Sequence, residues 1–201
     1  INTAPLPRWT HLTHRRLQTW PSQLTASNVL LSAPLPSWLV DPVIPRFESS
    51  LAVFARSPHA GPNHVLVNEY RPGQGIMPHE DGAAYYPVVA TVSLGAAIVL
   101  DIYGKRDTGE REDKPRWRVL QEPRSLLVTT DEMYTDYLHG IAEVRADEDV
   151  GPETVVNWAL LGCAEDFESG RYERKTRTSL TYRDVLKVSK LGSNLKFLGR
   201  R

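Results

Sequence analysis

Apolar and polar residues alternate along residues 64–70 with the period of two that is typical of a β-strand. The residues of one face are Val65, Val67 and Glu69, and those of the other face are His64, Leu66, Asn68 and Tyr70. Proline and glycine residues within residues 72–75 then end the strand. The loop that follows is predicted to deliver His79 and Asp81, whose two-residue spacing places both side chains on the same side of an extended backbone.

Further short strands are predicted where apolar runs are bounded by turn residues. They cover residues 87–95, 96–103, 119–120, 125–130, 137–141 and 155–161. Charged, loop-like segments lie between them, at residues 104–118, 142–153 and 164–175, and the first is typical of a solvated insertion, for which disorder is the alternative. Many short strands without alternating helices predict a mainly β fold with flanking helices (α+β), arranged as a sandwich or a jelly roll.

One helix is predicted between the proline-rich segment around residues 34–45 and Pro58. It begins near Pro45 and carries Phe47, Leu51 and Phe54 at helical spacing. An apolar stripe of this kind is most simply explained by packing on the core.

The last strong strand, residues 177–183, places four polar residues on one face. They are Arg177, Ser179, Thr181 and Arg183. Such a face is either solvated or the wall of a pocket. In an extended strand the Cα atoms of Arg177 and Arg183 are roughly 20 Å apart, so side chains that lean inward could bracket a small dicarboxylate. Both interpretations stay open on spacing alone.

Residues 1–40 show no clean periodicity, but basic and aromatic residues alternate within them. The residues concerned are Arg8, Trp9, Arg15, Arg16 and Trp20. This composition suits phosphate contacts combined with base stacking. It suits equally well a covering segment whose Trp side chains pack on the β fold while its Arg side chains face water. The two interpretations are about evenly supported.

Length and composition fit one domain with a sizeable core, since 201 residues are 41% hydrophobic. The net charge is zero, but residues 1–40 and the segment from Lys187 onward contain basic residues and no acidic ones. We therefore expect modest rather than tight non-specific binding to nucleic acid. There is no apolar run long enough to span a membrane. Cys163 is the single cysteine, which excludes an internal disulfide and suits a reducing compartment.

Several motifs occur together in an order that is specific. They are Asn68-Glu69-Tyr70, then His79-Glu80-Asp81 eleven residues on, a distal His139, and Arg177-x-Ser-x-Thr-x-Arg183. This order resembles the AlkB family of 2-oxoglutarate- and Fe(II)-dependent dioxygenases, and the likeness covers most of residues 9–183. Ser179 departs from the family pattern, which usually has Asn there, so a hydrogen bond to the co-substrate or substrate is expected to be weaker.

The resemblance implies a double-stranded β-helix (jelly roll) with an iron site and a co-substrate site. His79, Asp81 and His139 would bind Fe(II), because two imidazoles and one carboxylate leave coordination positions for O2 chemistry. The residues that would hold 2-oxoglutarate are Asn68, Tyr70, Arg177, Ser179, Thr181 and Arg183. Oxidation of this co-substrate yields succinate and carbon dioxide, and the hydroxylated N-methyl group of an alkylated base leaves as formaldehyde.

We expect a single dioxygenase domain over residues 1–201, with a lid and supporting segment at about 1–60, a jelly-roll core at about 61–186 and a basic tail at 187–201. The expected partner is single-stranded or flipped-base nucleic acid, DNA or RNA, without membrane association. The basic and aromatic residues of the N-terminal segment are the candidate contacts: Arg8, Trp9, Arg15, Arg16 and Trp20. We expect a monomer that works in the nucleus and cytoplasm.

Two alternatives stay open at this point. One is a hydroxylase or demethylase of protein side chains that uses the same iron site behind a different rim. The other is a binder of methylated nucleic acid that turns over slowly or not at all. Which base, which alkyl group and which nucleic acid is used does not follow from the motifs.

Overall fold

A computed structural model describes residues 1, 4–5, 8–41 and 43–190. Residues 191–201, and with them most of the predicted basic tail, lie outside the described residues. The strands are β1 (Thr10–Leu12), β2 (Arg15–Trp20), β3 (Leu30–Ser32), β4 (His64–Tyr70), β5 (Ile76–His79), β6 (Tyr85–Leu94), β7 (Ile98–Tyr103), β8 (Trp117–Gln121), β9 (Leu126–Thr130), β10 (Leu138–Ile141), β11 (Ala146–Glu148), β12 (Arg171–Glu173), β13 (Arg177–Val185) and β14 (Val188–Lys190). The helices are α1 (Ser37–Val40), α2 (Val43–Leu51) and α3 (Asp131–Thr135).

Two antiparallel sheets form the body of the fold. The larger has the strand order β1-β2-β4-β13-β6-β9, and the smaller has the order β5-β10-β7-β8. From β4 onward the chain passes repeatedly from one sheet to the other, and this exchange is what produces the non-sequential order within each sheet. The mainly β, jelly-roll architecture predicted from the sequence is thereby confirmed. Two small pairs, β11 with β12 and β14 with β3, complete the described strands.

Side chains of β13, a central strand of the larger sheet, alternate between two faces, with apolar residues on one face and polar residues on the other. Leu180 and Tyr182 are buried in the apolar core on the outer side of this sheet. Arg177 and Arg183 leave from the inner side and line the cavity between the two sheets. The polar face of this strand is therefore a pocket wall and not a solvated surface.

Helices α1 and α2 cover the outer side of the larger sheet. The core there is built from Trp9, Leu39, Phe47, Phe54, Val65, Val67, Val88, Ala90, Leu180 and Tyr182. The Tyr182 hydroxyl donates a hydrogen bond to the Leu39 carbonyl over 2.8 Å, which ties α1 to the sheet. The predicted helix exists, but it begins at Val43 and ends before Phe54, and Leu51 is 59% exposed. Of the predicted apolar stripe, Phe47 and Phe54 are core residues and Leu51 is not.

The strand predicted at residues 155–161 is wrong. These residues form turns and a short 3-10 helix, Trp158–Leu160. Val155 still packs against the outer face of the smaller sheet. The Asn157 side chain exchanges two hydrogen bonds of 2.9 Å with the backbone of Leu120 in β8. A side-chain amide thus pairs with the backbone where a further strand would have paired, and of the apolar run only Val155 is buried.

The charged segment at residues 104–118 is largely exposed, as expected of a solvated insertion, and it carries local contacts. Lys105 and Arg111 form an isolated β-bridge, and Arg116 forms an ion pair of 2.5 Å with Glu112. In the two other predicted loops, β11 and β12 pair with each other. No helix within the described residues is long and apolar enough to cross a membrane.

We expect Phe47→Ala to lower the free energy of unfolding by about 3–5 kcal/mol, because it empties a site that is 2% exposed and packed on Tyr182. Leu51→Ala in the same helix should change it by less than about 0.5 kcal/mol, since this side chain faces water. Urea unfolding of the two variants measures both. Equal losses would contradict the position of α2 on the sheet.

Candidate metal centre and co-substrate pocket

A cavity of about 320 Å³ lies between the two sheets. Polar side chains of β4 and β13 line it, and its apolar lining includes Leu66, Val89, Leu100, Leu127 and Leu138. All the residues to which the sequence assigned iron or 2-oxoglutarate line this one cavity: Asn68, Tyr70, His79, Asp81, His139, Arg177, Ser179, Thr181 and Arg183. Residues that are far apart in the chain are brought together by the pairing of β5 with β10 and of β4 with β13.

His79, Asp81 and His139 each offer one ligand atom, and these atoms all lie within 4.8 Å of one another. His79 and His139 are directly opposite each other in the antiparallel pair of β5 and β10, with ring centroids 4.5 Å apart. The sequence had placed His79 on a loop, whereas it is the last residue of β5. Only Asp81 is supplied by the segment that follows this strand.

The hydrogen bonds around the two imidazoles leave them suited to bind a metal ion. His79 Nδ1 lies 2.9 Å from the carbonyl oxygen of Met77. A carbonyl can only accept, so Nδ1 is the donor, and in the neutral ring this leaves the lone pair on Nε2. Burial lowers the pKa of His139 below its ordinary value, and the nearby His79 and Arg183 lower it further against the opposing effect of Asp81. Neutral imidazole is the form that coordinates a metal.

Arg183 orients the carboxylate of the trio. Its Nη2 donates to Asp81 Oδ1 over 2.5 Å. The other oxygen, Oδ2, lies 4.0 Å from His139 Nε2 and faces the space among the three ligand residues. Two imidazole nitrogens and one carboxylate oxygen on one side of that space fit Fe(II). The sequence assigned Arg183 to the co-substrate, and the structure adds this contact with Asp81.

Arg177 is a buried cation whose described polar partners are neutral. Its Nε donates to Ser93 Oγ over 2.8 Å and its Nη2 to Gln121 Oε1 over 2.7 Å. Burial lowers the pKa of Arg177 to about 10, so it stays charged at neutral pH. A buried charge without a counter-charge is costly, and the carboxylate of a ligand is the group that would neutralise it.

Ser93 and Gln121 were not assigned a role from the sequence. Ser93 is fully buried and Gln121 is 3% exposed, and together they hold the Arg177 guanidinium in place. For Ser93, a polar residue within the predicted strand at residues 87–95 was the available signal. For Gln121, a polar residue at the end of an apolar strand was the available signal.

The five N-terminal residues predicted to contact nucleic acid do not share one location. Arg15 lines the cavity. Arg16 donates two hydrogen bonds of 2.7 Å to Glu69, and its guanidinium lies 4.0 Å above the Trp9 ring. Trp9 belongs to the outer core, and Trp20 packs against that core.

Arg8 contacts the ring of Trp20, with its Cζ 3.6 Å from the ring centroid. The covering interpretation thus accounts for the contacts of Arg8, Trp9, Arg16 and Trp20. A nucleic-acid role for these residues stays a prediction.

A model of the 2OG-Fe(II) oxygenase superfamily matches residues 8–183, and the chain therefore belongs to that superfamily. It is accordingly an iron-dependent dioxygenase that uses 2-oxoglutarate and O2. Over its full length it is 41% identical to the "Probable RNA/DNA demethylase ALKBH6" of Danio rerio, of which it covers 82%. The predicted AlkB-like character is thereby confirmed.

One further relative and one solved structure are similar to the chain. It is 33% identical over 62% of its length to the "tRNA (carboxymethyluridine(34)-5-O)-methyltransferase alkbh8" of Xenopus tropicalis, and covers 18% of that protein. A solved structure of OsALKBH1 matches with a TM-score of 0.49 at 18% identity, covering 85% of this chain and 78% of the other.

The packing of Gly140 generates a prediction about the iron site. A Cβ at Gly140 would lie 2.9 Å from the backbone nitrogen of Pro78. Gly140→Ala should therefore push β10 away from β5 and separate His139 from His79. We expect a loss of Fe(II) affinity of about tenfold or more, as for other changes behind metal ligands.

Anaerobic calorimetric titration with Fe(II) measures this loss. Gly82→Ala is the matched control, because a Cβ there meets no atom within 4 Å although Gly82 adjoins Asp81. Its affinity should equal that of the parent protein. Unchanged affinity of the Gly140 variant would contradict the tight packing of the two strands.

The buried Arg177 generates a prediction about the co-substrate. Arg177→Lys keeps the charge but loses the planar fork that can bind a carboxylate through two parallel bonds. We expect the Kd for 2-oxoglutarate to rise about tenfold or more, which corresponds to about 1.4 kcal/mol. Arg46→Lys, on the exposed side of α2, is the control and should leave the Kd unchanged. An unchanged Kd for the Arg177 variant would remove this residue from the co-substrate site.

Proposed function

We propose that this dioxygenase removes alkyl groups from nucleobases of DNA or RNA by oxidative demethylation or dealkylation. The observation that carries the proposal is the 41% identity over the whole chain to a probable RNA/DNA demethylase. The tRNA-modifying name of a second relative also supports a nucleic-acid substrate. The cavity between the sheets is consistent with this substrate, because enzymes that act on a base take it out of the stack and into a pocket.

In this proposal His79, Asp81 and His139 hold Fe(II), while Arg177, Tyr70 and Asn68 hold the co-substrate. Bound iron with 2-oxoglutarate and O2 supplies the oxidising equivalent that hydroxylates a C–H bond of the substrate. Loss of the resulting hydroxymethyl group as formaldehyde restores the base.

The remaining steps depend on groups of the chain itself. Arg183 keeps Asp81 in the orientation that turns Oδ2 toward the imidazoles. Burial raises the pKa of Tyr70, so its hydroxyl stays protonated and can donate to an anionic ligand. Ser93 and Gln121 hold Arg177 ready for a carboxylate before the ligand arrives, which reduces the ordering cost of binding. Apolar side chains such as Leu127 and Leu138 exclude water from the reacting methyl group.

We further propose that the substrate base is single-stranded or flipped out, that the protein acts as a monomer, and that it works in the nucleus and cytoplasm. Support for the first point is the position of the predicted iron ligands inside a cavity between the two sheets. The single Cys163 is consistent with a reducing compartment. Size-exclusion chromatography with light scattering tests the monomer, and imaging of a tagged protein in cells tests the location.

The substrate class is tested by following two products together. Fe(II)-loaded protein is incubated with 2-oxoglutarate and a panel of N-methylated single-stranded DNA and RNA oligonucleotides. We expect formaldehyde and succinate in equal amounts with at least one oligonucleotide. His79→Ala should produce neither, because it removes one of three predicted iron ligands. Unmethylated oligonucleotides of the same sequence control for co-substrate turnover that is not coupled to demethylation.

Two outcomes would overturn the proposed function. Hydroxylated or demethylated peptide, with no formaldehyde from any oligonucleotide, would assign the enzyme to protein side chains. Tight binding of methylated oligonucleotide without succinate formation would make it a binder of methylated nucleic acid.

A further inference from the structure

Arg15 lies on the inner side of the larger sheet although it belongs to the N-terminal segment. In the pairing of β2 with β4, Arg16 is opposite Glu69, so the preceding residue, Arg15, lies beside Tyr70. In the pairing of β4 with β13, Tyr70 is opposite Arg177. The three residues Arg15, Tyr70 and Arg177 thus form one row across three neighbouring strands, and all three line the cavity.

The dimensions of this row suit a small anion. Adjacent strands lie about 4.8 Å apart, so the Cα atoms of Arg15 and Arg177 are separated by about 10 Å. Two Arg side chains that lean toward each other over Tyr70 can close that distance onto one carboxylate. Both Arg charges act on the Tyr70 hydroxyl, where they partly offset the effect of burial in raising its pKa. Arg177 Cζ lies 5.9 Å from the centroid of the Tyr70 ring, on the same side of the sheet as Arg15.

Neither of these cations is neutralised by the described side chains. Arg15 Nε donates to Asn68 Oδ1 over 3.2 Å, and Arg177 donates to a serine hydroxyl and a glutamine carbonyl. Arg16, next in the chain, is by contrast fully paired with the carboxylate of Glu69. Two positive charges that face one cavity without an acidic partner indicate that a ligand brings the negative charge.

We propose that Arg15 is a co-substrate residue that contacts the distal carboxylate of 2-oxoglutarate together with Arg177. The inference rests on the proposed role of Arg177 in the co-substrate site. It assigns the N-terminal strand β2 a part in selecting a dicarboxylate over a monocarboxylate. It also replaces the phosphate contact predicted for Arg15 from composition.

The position of Arg15 is fixed on both sides along the chain. The preceding residue, His14, lies 3.0 Å from Glu143, which follows β10 of the smaller sheet. The following residue, Arg16, is held by Glu69 of the larger sheet. The hairpin of β1 and β2 therefore reaches from one sheet to the other at the end of the cavity that contains Arg177.

A comparison of two 2-keto acids of equal length isolates the contribution of the distal carboxylate to binding. 2-Oxopentanoate has a methyl group where 2-oxoglutarate has its distal carboxylate. The Kd of each is measured by anaerobic calorimetry on the Fe(II)-loaded protein, for the parent chain and for Arg15→Ala. We expect the Kd for 2-oxoglutarate to rise about tenfold, equivalent to about 1.4 kcal/mol, and the Kd for 2-oxopentanoate to stay unchanged. Arg46→Ala, on the exposed side of α2, should alter neither value.

Each outcome of this comparison decides one point. If Arg15→Ala weakens both ligands equally or neither of them, Arg15 makes no contact with the distal carboxylate and the inference is wrong. If the parent protein itself binds the two ligands equally, the co-substrate site proposed around Arg177 is wrong as well. If Arg15→Ala leaves both Kd values unchanged but reduces the salt dependence of oligonucleotide binding, Arg15 is a phosphate contact.

Discussion

The alternation of cavity-facing and core-facing side chains along β13 is the constraint on which the rest of the molecule depends. Antiparallel pairing with β4 on one side and β6 on the other leaves this strand no freedom of register, because a slip by one residue would exchange its two faces. Such a slip would turn Arg177 and Arg183 into the apolar core under the helices and Tyr182 into the cavity. The packing of Tyr182 against α1 and α2 therefore keeps the arginines in the site, and fold stability and site geometry share one cause.

Charge balance within the cavity distinguishes the two ends of β13. Arg183 is neutralised by Asp81 at the iron end, and that ion pair is what orients the carboxylate. Arg177 has neutral described partners at the other end, together with Arg15. Desolvation of a cation costs free energy that hydrogen bonds to neutral groups recover only in part. The free protein is thus prepared for a ligand with a carboxylate, and a dicarboxylate can serve the iron and the distal cations together.

Local patterns allowed much of this arrangement to be predicted, and non-local contacts account for what was missed. The faces of β4 and β13 follow from alternation within seven residues, and the identity of the iron ligands came from the spacing of His79 and Asp81 together with a family resemblance. Ser93 and Gln121 act through Arg177, from which they are separated by 84 and 56 residues, so no local pattern specifies that contact.

The false strand at residues 155–161 has a similar cause. A short apolar run fits a strand and a turn equally well, and here the side chain of Asn157 bonds the backbone of β8 in place of a strand.

The N-terminal segment shows how composition and periodicity can disagree. Arg15 and Arg16 are adjacent and chemically identical, and composition alone treats them as one basic patch. In a strand they must point to opposite sides. Arg16 then meets the buried carboxylate of Glu69, with the Trp9 ring stacked against its guanidinium, and becomes part of the outer layer.

Arg15 meets the cavity, where described side chains offer it no carboxylate. Whether an Arg of this segment is a structural cation or a ligand-binding cation is thus set by the face of β2 from which its side chain leaves. Residue type contributes nothing to that difference.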